Sequence, residues 1–440
     1  MFDPVNEPPF RLDVAGLSDA FEVLAFTGRE AISEPFVFDV DLLIDDPALD
    51  LASLLYRPAT LHFGSTGNVV HGQLHELVQR DHGSTVRLCH VRLGPKLACL
   101  AQRFSQRIFS DRSVPQILDQ VLKEHGIVGQ DRRFELNGDY PLRDFCTQYR
   151  ESDLQFLQRL CAQERLHYHF EHRARGHCVV FADGQGHFRE GETAVFRHEG
   201  ELAGVRRFEV QQSVDSTQQS AECQTDLATL RSGQLMPLAG HPVTAWNQLW
   251  LLTHVEHQGN QDPLIPYSNQ VRAVHWAATF ESPHCVVKPR MHSLQRAWVV
   301  SVDEPQPDPS RPVAVQFDWS YQGEGATPGH CWLPLASQLQ ASSGTLLSQG
   351  AEVVVSFIEG DPDQPLITGV LHLPKPVEEV DSVSPAMTDR CPPEGVQDWL
   401  HSGEPLLLLC LLPDGGSFNH CAQALCTCRA AMQLGQSGAA

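Results

Sequence analysis

At 440 residues, 42% hydrophobic and 20% charged, with 32 Gly and 30 Pro, the chain is too long for a single core and too apolar for a disordered one, and predicts two or three turn-rich domains. Its formal charge of −22 repels phosphate backbones and excludes nucleic acid as a partner. No run of eighteen apolar residues occurs, and Met1 to Phe10 has neither a basic nor an apolar segment, so neither a membrane helix nor a signal peptide is expected.

The first elements are strands. Phe21 to Phe26 leads through a turn at Thr27-Gly28-Arg29-Glu30 into Phe36 to Leu42, where Phe36, Phe38, Val40 and Leu42 alternate onto one face. Ala59 to Phe63, Asn68 to Gln79 and Thr85 to Leu93 follow, so residues of about 10–100 read as a small β-barrel module. Cys89, Cys99, Cys146 and Cys161 are scattered among apolar neighbours and read as reduced core residues.

A helical insert of about 101–166 comes next. Ser113 stands three residues before Gln116, and Val114, Ile117, Leu118, Val121 and Leu122 repeat at helical spacing up to Gly126. Ser152 and Gln155 repeat the same cap, with Leu154, Leu157, Leu160 and Cys161 on one face to about Glu164. Strands resume at His167 to Glu171 and Cys178 to Phe181, and a second β module of about 167–290 extends through Leu249 to His257. Pro283, Pro289 and Arg290 mark a linker. Ala297 to Val302, Val313 to Trp319, Cys331 to Leu335, Val353 to Ile358 and Leu366 to Leu371 then give five short strands over 291–374, which suits an OB-like barrel. The fold class is therefore mainly β with a helical insert: two barrel modules and a five-stranded OB-like barrel. Residues 375–440 read as a Pro- and acid-rich linker and a short Cys-rich tail, with an apolar run at Leu406 to Leu412.

No catalytic pattern is found. His75-Glu76 and His198-Glu199 lack the second histidine of a helical zinc site, and there is no phosphate-binding loop or nucleophile elbow. His254 and His257 fall on opposite faces of a strand and read as exposed. Glu359-Gly360-Asp361-Pro362-Asp363-Gln364-Pro365, continuing to Gly369, gathers three carboxylates. Its Gly and Pro spacing fits a tight reversal between strands better than a calcium loop. Cys410, His420, Cys421, Cys426 and Cys428 form a soft-ligand cluster that admits a structural zinc, though without paired two-residue spacing. Unpaired or redox-active thiols are the other reading. No other cofactor is expected.

The stretch from Phe145 to Leu160, FCTQYRESDLQFLQRL, resembles a signature of the VgrG spike proteins of type VI secretion. Arg107-Ile108-Phe109, Gly240-His241-Pro242, Trp250-Leu251-Leu252, His254 to Gly259, Val313 to Trp319 and Phe357 to Gly369 match in the same order, so the resemblance covers about residues 10–373. It is similar also to contractile phage tail hubs. The resemblance implies a non-enzymatic homotrimer whose six β modules cap hexameric tube rings. It implies a spike that punctures target membranes, touching them transiently, and carries effectors. A PAAR-like tip protein, adaptor or effector is expected at the C-terminal end. The protein would assemble in the bacterial cytoplasm and then be secreted into target cells. Two alternatives stay open: a phage-derived tail hub, and a zinc-dependent effector centred on the tail. The sequence departs from the family at Arg165, where Gly is common, and at Leu347-Ser348-Gln349-Gly350, where Pro-Arg-Ile-Gly is usual. It also lacks the periodic needle after 374, leaving a compact adaptor, a truncated needle or a degraded gene end.

Overall fold

In a computed structural model of the protein, the described residues are 10–63, 68–80, 87–173, 176–200, 202–212, 219–262, 265–277, 287–306, 308–320, 329–340 and 347–372. They form two compact units, residues 1–292 with 359–364, and residues 293–358 with 365 onward. The proposed linker's Pro283, the apolar run Leu406 to Leu412 and the candidate ligands Cys410, His420, Cys421, Cys426 and Cys428 lie outside the described residues.

The first unit begins with β1 (Phe10–Val14), β2 (Phe21–Ala31), β3 (Val37–Ile44), β4 (Pro58–Phe63), β5 (Asn68–Arg80) and β6 (Arg87–Gly94). Their order is β1-β4-β5-β6-β3-β2, and β2 pairs back onto β1, which closes a six-stranded barrel without a free edge. Alternation places Phe36, Phe38, Val40 and Leu42 in its core, each at most 1% exposed, as expected from the pattern. The turn expected at Thr27 to Glu30 is not one: β2 runs straight through it, and the chain reverses at Ser33 with φ of +65°. Gly28 is needed for a different reason. A Cβ there would stand 2.2 Å from the Phe38 ring, so the glycine lets a core ring lie flat on the strand.

The helical insert contains β7 (Phe104–Phe109), α1 (Val114–Glu124), β8 (Arg132–Glu135), β9 (Cys146–Ser152) and α2 (Asp153–Gln163); β10 (His167–Arg173) and β11 (Gly176–Ala182), expected in the second β module, instead pair with β8 in a separate three-stranded sheet. The amide of Ser113 donates to the Gln116 side chain at 2.9 Å, and Ser152 and Gln155 bond reciprocally at 2.9 and 3.2 Å, so both caps form as the sequence predicts. Ile117, Leu118, Val121, Phe156, Leu157 and Leu160 are fully buried and share one continuous core with the barrel. Arg165 takes the left-handed conformation, φ +56°, and Leu166 N–H bonds Cys161 O at 2.8 Å. The helix-ending turn that usually favours Gly is therefore kept by an arginine, at a backbone cost of about 1 kcal/mol.

Seven further strands complete the main sheet: β12 (Arg189–Glu190), β13 (Ala194–Val195), β14 (Val205–Gln212), β15 (Gln219–Thr225), β16 (Gln234–Ala239), β17 (Leu249–Asn260) and β18 (Tyr267–His275). Strand β17 changes partner along its length: Leu249 to Leu251 pairs with β16, whereas His254 to Asn260 pairs with β2 of the barrel. A register shift against β18 between Leu252 and His254 marks the change. The second β module is thus an open half-barrel continuous with the first barrel in one 13-stranded sheet, because β2 is long enough to serve both.

The second unit carries β19 (Gln295–Val299), β20 (Val313–Phe317), β21 (Cys331–Leu333), β22 (Glu352–Phe357) and β23 (Pro365–His372), in the order β21-β20-β19-β22-β23. A parallel bridge between Leu335 and Ile367 joins the ends of that order, giving a five-stranded OB-like ring. Ala297, Val315, Leu333, Val353, Val355 and Ile367 are fully buried within it.

Candidate functional site

The residues of the VgrG-like signature and the acidic turn meet in the first unit. Gly360 at φ +74° and Glu359 at φ +54° make the reversal, and a Cβ on Gly360 would press to 3.0 Å from the His292 ring. The Asp361 side chain accepts the Asp363 amide at 2.9 Å, and its carbonyl accepts the Gln364 amide at 3.0 Å, so the Asp and Pro spacing folds the turn on itself. Lys288 Nζ lies 2.5 Å from Asp361 Oδ1 and 2.6 Å from Asp363 Oδ2. The other oxygen of Asp363 accepts the Thr147 amide at 2.6 Å, and Thr147 Oγ1 donates to Pro362 O at 2.8 Å. Asp361 and Asp363 are therefore occupied by protein donors. Pro365 and Gly369 lie in β23, paired with Phe357 and Val354.

Beneath Thr147 lies a buried ion pair. Arg159 of α2, 1% exposed, forks onto Glu151 of β9 with contacts of 2.6 and 3.0 Å and donates to Thr147 O at 3.0 Å. Burial opposes the Arg159 cation, but Glu151 outweighs it and holds the guanidinium above its ordinary value. Burial also pushes the Glu151 carboxyl up despite Arg159. At the start of α2, the fully buried Asp153 accepts from His125 at 2.7 Å, Gln148 at 2.8 Å and Arg103 at 2.5 Å. Burial raises its pKa, but these donors win and hold it below the usual carboxylate range. The signature is a folding device: its charged residues lock a strand–helix corner.

A second polar cluster contradicts the reading of His257 as exposed. His257 is buried, its Nε2 3.3 Å from Glu30 Oε1 and its Nδ1 2.6 Å from Tyr267 Oη. Arg231 stands 3.6 Å from the same carboxylate oxygen. Burial raises the Glu30 carboxyl, but Arg231 and His257 outweigh it and bring its pKa down to about 2. His254 faces the other side and contacts Glu256 at 3.0 Å, so the two histidines diverge as their spacing requires. His257 shares the buried face of β17 with Val255 and Gly259, while Glu256 and Gln258 on the other face are exposed, so alternation from Val255 was the signal that could have placed it inside.

Among the described residues no group of three or more His, Cys, Asp or Glu side chains is placed to hold a metal, and no helix is long and apolar enough to cross a membrane. Cys89, Cys146 and Cys161 are buried as expected, whereas Cys99 is only partly buried, although Leu97 and Leu100 of the same short helical turn are in the core.

Residues 29–222 match the family model described as "Phage tail baseplate hub (GPD)". Two Pseudomonas aeruginosa proteins, the type VI secretion system spike proteins VgrG4b and VgrG5, are each 34% identical to the chain over 86% and 84% of its length. The chain belongs to the VgrG spike family. It spans 58% of the length of each of those two VgrG relatives. An Escherichia coli component of the type VI secretion system, described as structurally similar to the T4 tail proteins gp27 and gp5, superimposes with a TM-score of 0.69 at 25% identity. That match covers 82% of this chain and 99% of that one. The VgrG fold thus extends over both β modules and the OB-like ring, and the signature corner lies inside it.

Proposed function

We propose that the chain is the trimeric hub and spike subunit of a bacterial type VI secretion system. One observation carries the reading: a closed six-stranded barrel and a half-barrel built on a single continuous sheet. Three copies then present six β modules, the number that a hexameric tube ring requires of a threefold cap. The interior chemistry fits a load-bearing part, since its charged residues are consumed in internal pairs. As a spike it caps the tube, is expelled with it, crosses the target membrane and delivers effectors docked at its C-terminal end, with a tip protein of PAAR type or an adaptor between. It assembles in the cytoplasm, works without a cofactor of its own, and performs no catalysis. Co-sedimentation of the purified full chain with preassembled hexameric tube rings tests the reading. Retention on the rings at one trimer per ring end supports it, and a chain that stays in the supernatant refutes it.

A further inference from the structure

Strand β10 carries two imidazoles that the fold leaves short of partners. His172 Nδ1 accepts the His71 amide at 3.1 Å, so the proton of the neutral ring sits on Nε2. That N–H is buried and meets no acceptor among the described residues. His169 is 2% exposed, and its Nδ1 is likewise buried without a partner. Both residues line a cavity of about 380 Å³, bounded by β10, by Arg189 of β12 and by the segment 229–234 that holds Arg231. An orphaned buried donor costs about 1–3 kcal/mol, and a ligand that supplies an acceptor removes that cost.

The charges around the cavity select an anion. Glu171 lines it too, but Arg133 forks onto that carboxylate at 2.7 and 3.0 Å, Arg189 reaches it at 3.0 Å and Arg173 at 3.5 Å. Glu135 adds a second carboxylate through Arg133. Three guanidiniums against two carboxylates leave one positive charge unmatched, in a chain whose net charge is −22. Arg231 is balanced by Glu30 at 3.6 Å and adds no surplus. We propose that this cavity binds a tetrahedral oxyanion, either free phosphate or a phosphomonoester, with His172 Nε2 donating to it and Arg173 and Arg189 neutralising it. Such an ion only accepts, so it answers the orphaned N–H, and donors drawn from separate segments suit a tetrahedral group better than a planar carboxylate. The volume leaves room for an attached organic group. Burial holds His169 down to about 4 and His172 down to about 3, so at neutral pH the ion meets neutral imidazoles and charged guanidiniums. Bound there, it ties β10 to β12 and to the segment that leads into β16.

Isothermal titration calorimetry of the full chain in phosphate-free buffer, with ionic strength held constant by sodium chloride, tests the site with inorganic phosphate, glycerol 2-phosphate and acetate. Phosphate saturates one site per chain with a Kd below about 1 mM, and acetate binds at least about tenfold more weakly. Glycerol 2-phosphate binding more tightly than phosphate makes the phosphomonoester the ligand, and the reverse order makes it the free ion; both support the site. His172→Phe, whose new ring faces Phe36, weakens phosphate about tenfold. Arg189→Gln, at an exposed side chain, weakens it about fivefold. Arg207→Gln, equally exposed and outside the cavity, leaves it unchanged. The proposal is overturned by the lack of saturable phosphate binding up to about 10 mM, or by acetate binding as tightly as phosphate. An affinity that Arg189→Gln lowers no more than Arg207→Gln does also overturns it, a comparison that stands even where His172→Phe does not fold.

Discussion

The Thr147 amide donates to Asp363 at 2.6 Å across 216 positions of sequence. Because Asp363 also pairs with Lys288 at 2.6 Å, one carboxylate satisfies a buried amide and neutralises a cation. Asp363→Ala leaves the Thr147 N–H without its acceptor and is expected to cost about 1–3 kcal/mol, read as a lowered urea midpoint. Lys288→Met, whose cation is partly exposed, should cost under about 1 kcal/mol.

Arg159 and Glu151 offer a sharper contrast. Arg159→Met strands a buried carboxylate and should destabilise by about 3–5 kcal/mol. Adding Glu151→Leu should return most of that loss, since the Leu side chain needs no partner. A double variant no more stable than Arg159→Met would show that the pair is not what holds this corner.

Gly28→Ala places a methyl carbon within 2.2 Å of the Phe38 ring and should cost about 1–3 kcal/mol through overpacking. Phe38→Leu in the same chain should relieve part of it, the mark of a steric rather than conformational cause.

Acid should loosen the first unit before its carboxylates protonate. Burial holds His167 and His172 down to about 3, and His169 and His177 down to about 4, against about 6.5 in an unfolded chain. These groups bind protons more readily when unfolded, so their contribution is complete above pH 6.5 and is lost as pH falls toward 4. The lowered pKa of Glu30, about 2, adds stability above 4.5 that disappears only as pH falls through 2. Urea midpoints measured from pH 7.5 to 5 therefore weigh the histidines most and should fall steadily. His169→Phe should flatten the slope.

Local signals in the sequence located what local physics decides. The capping pairs at Ser113 and Ser152 placed both helices, and the alternation of Phe36 to Leu42 placed the barrel face, because each depends on neighbours within a few residues. Strand β1 went unseen since five residues of Phe10–Val14 carry too little pattern, yet it is the strand that closes the barrel. The turn expected at Gly28 failed because the glycine answers to a ring ten residues away. The roles of Thr147, Lys288 and Asp363, and of Glu30 with His257, depend on contacts between residues far apart in the sequence. No spacing rule reaches them; the family signature marked Thr147 as part of a motif without saying what it bonds.

The central claim is that one chain supplies two β modules to a threefold hub. Light scattering of the purified full chain at several concentrations measures it most directly. The account predicts a concentration-independent mass three times the 48.9 kDa of one chain, and a stable particle of 48.9 kDa would contradict it.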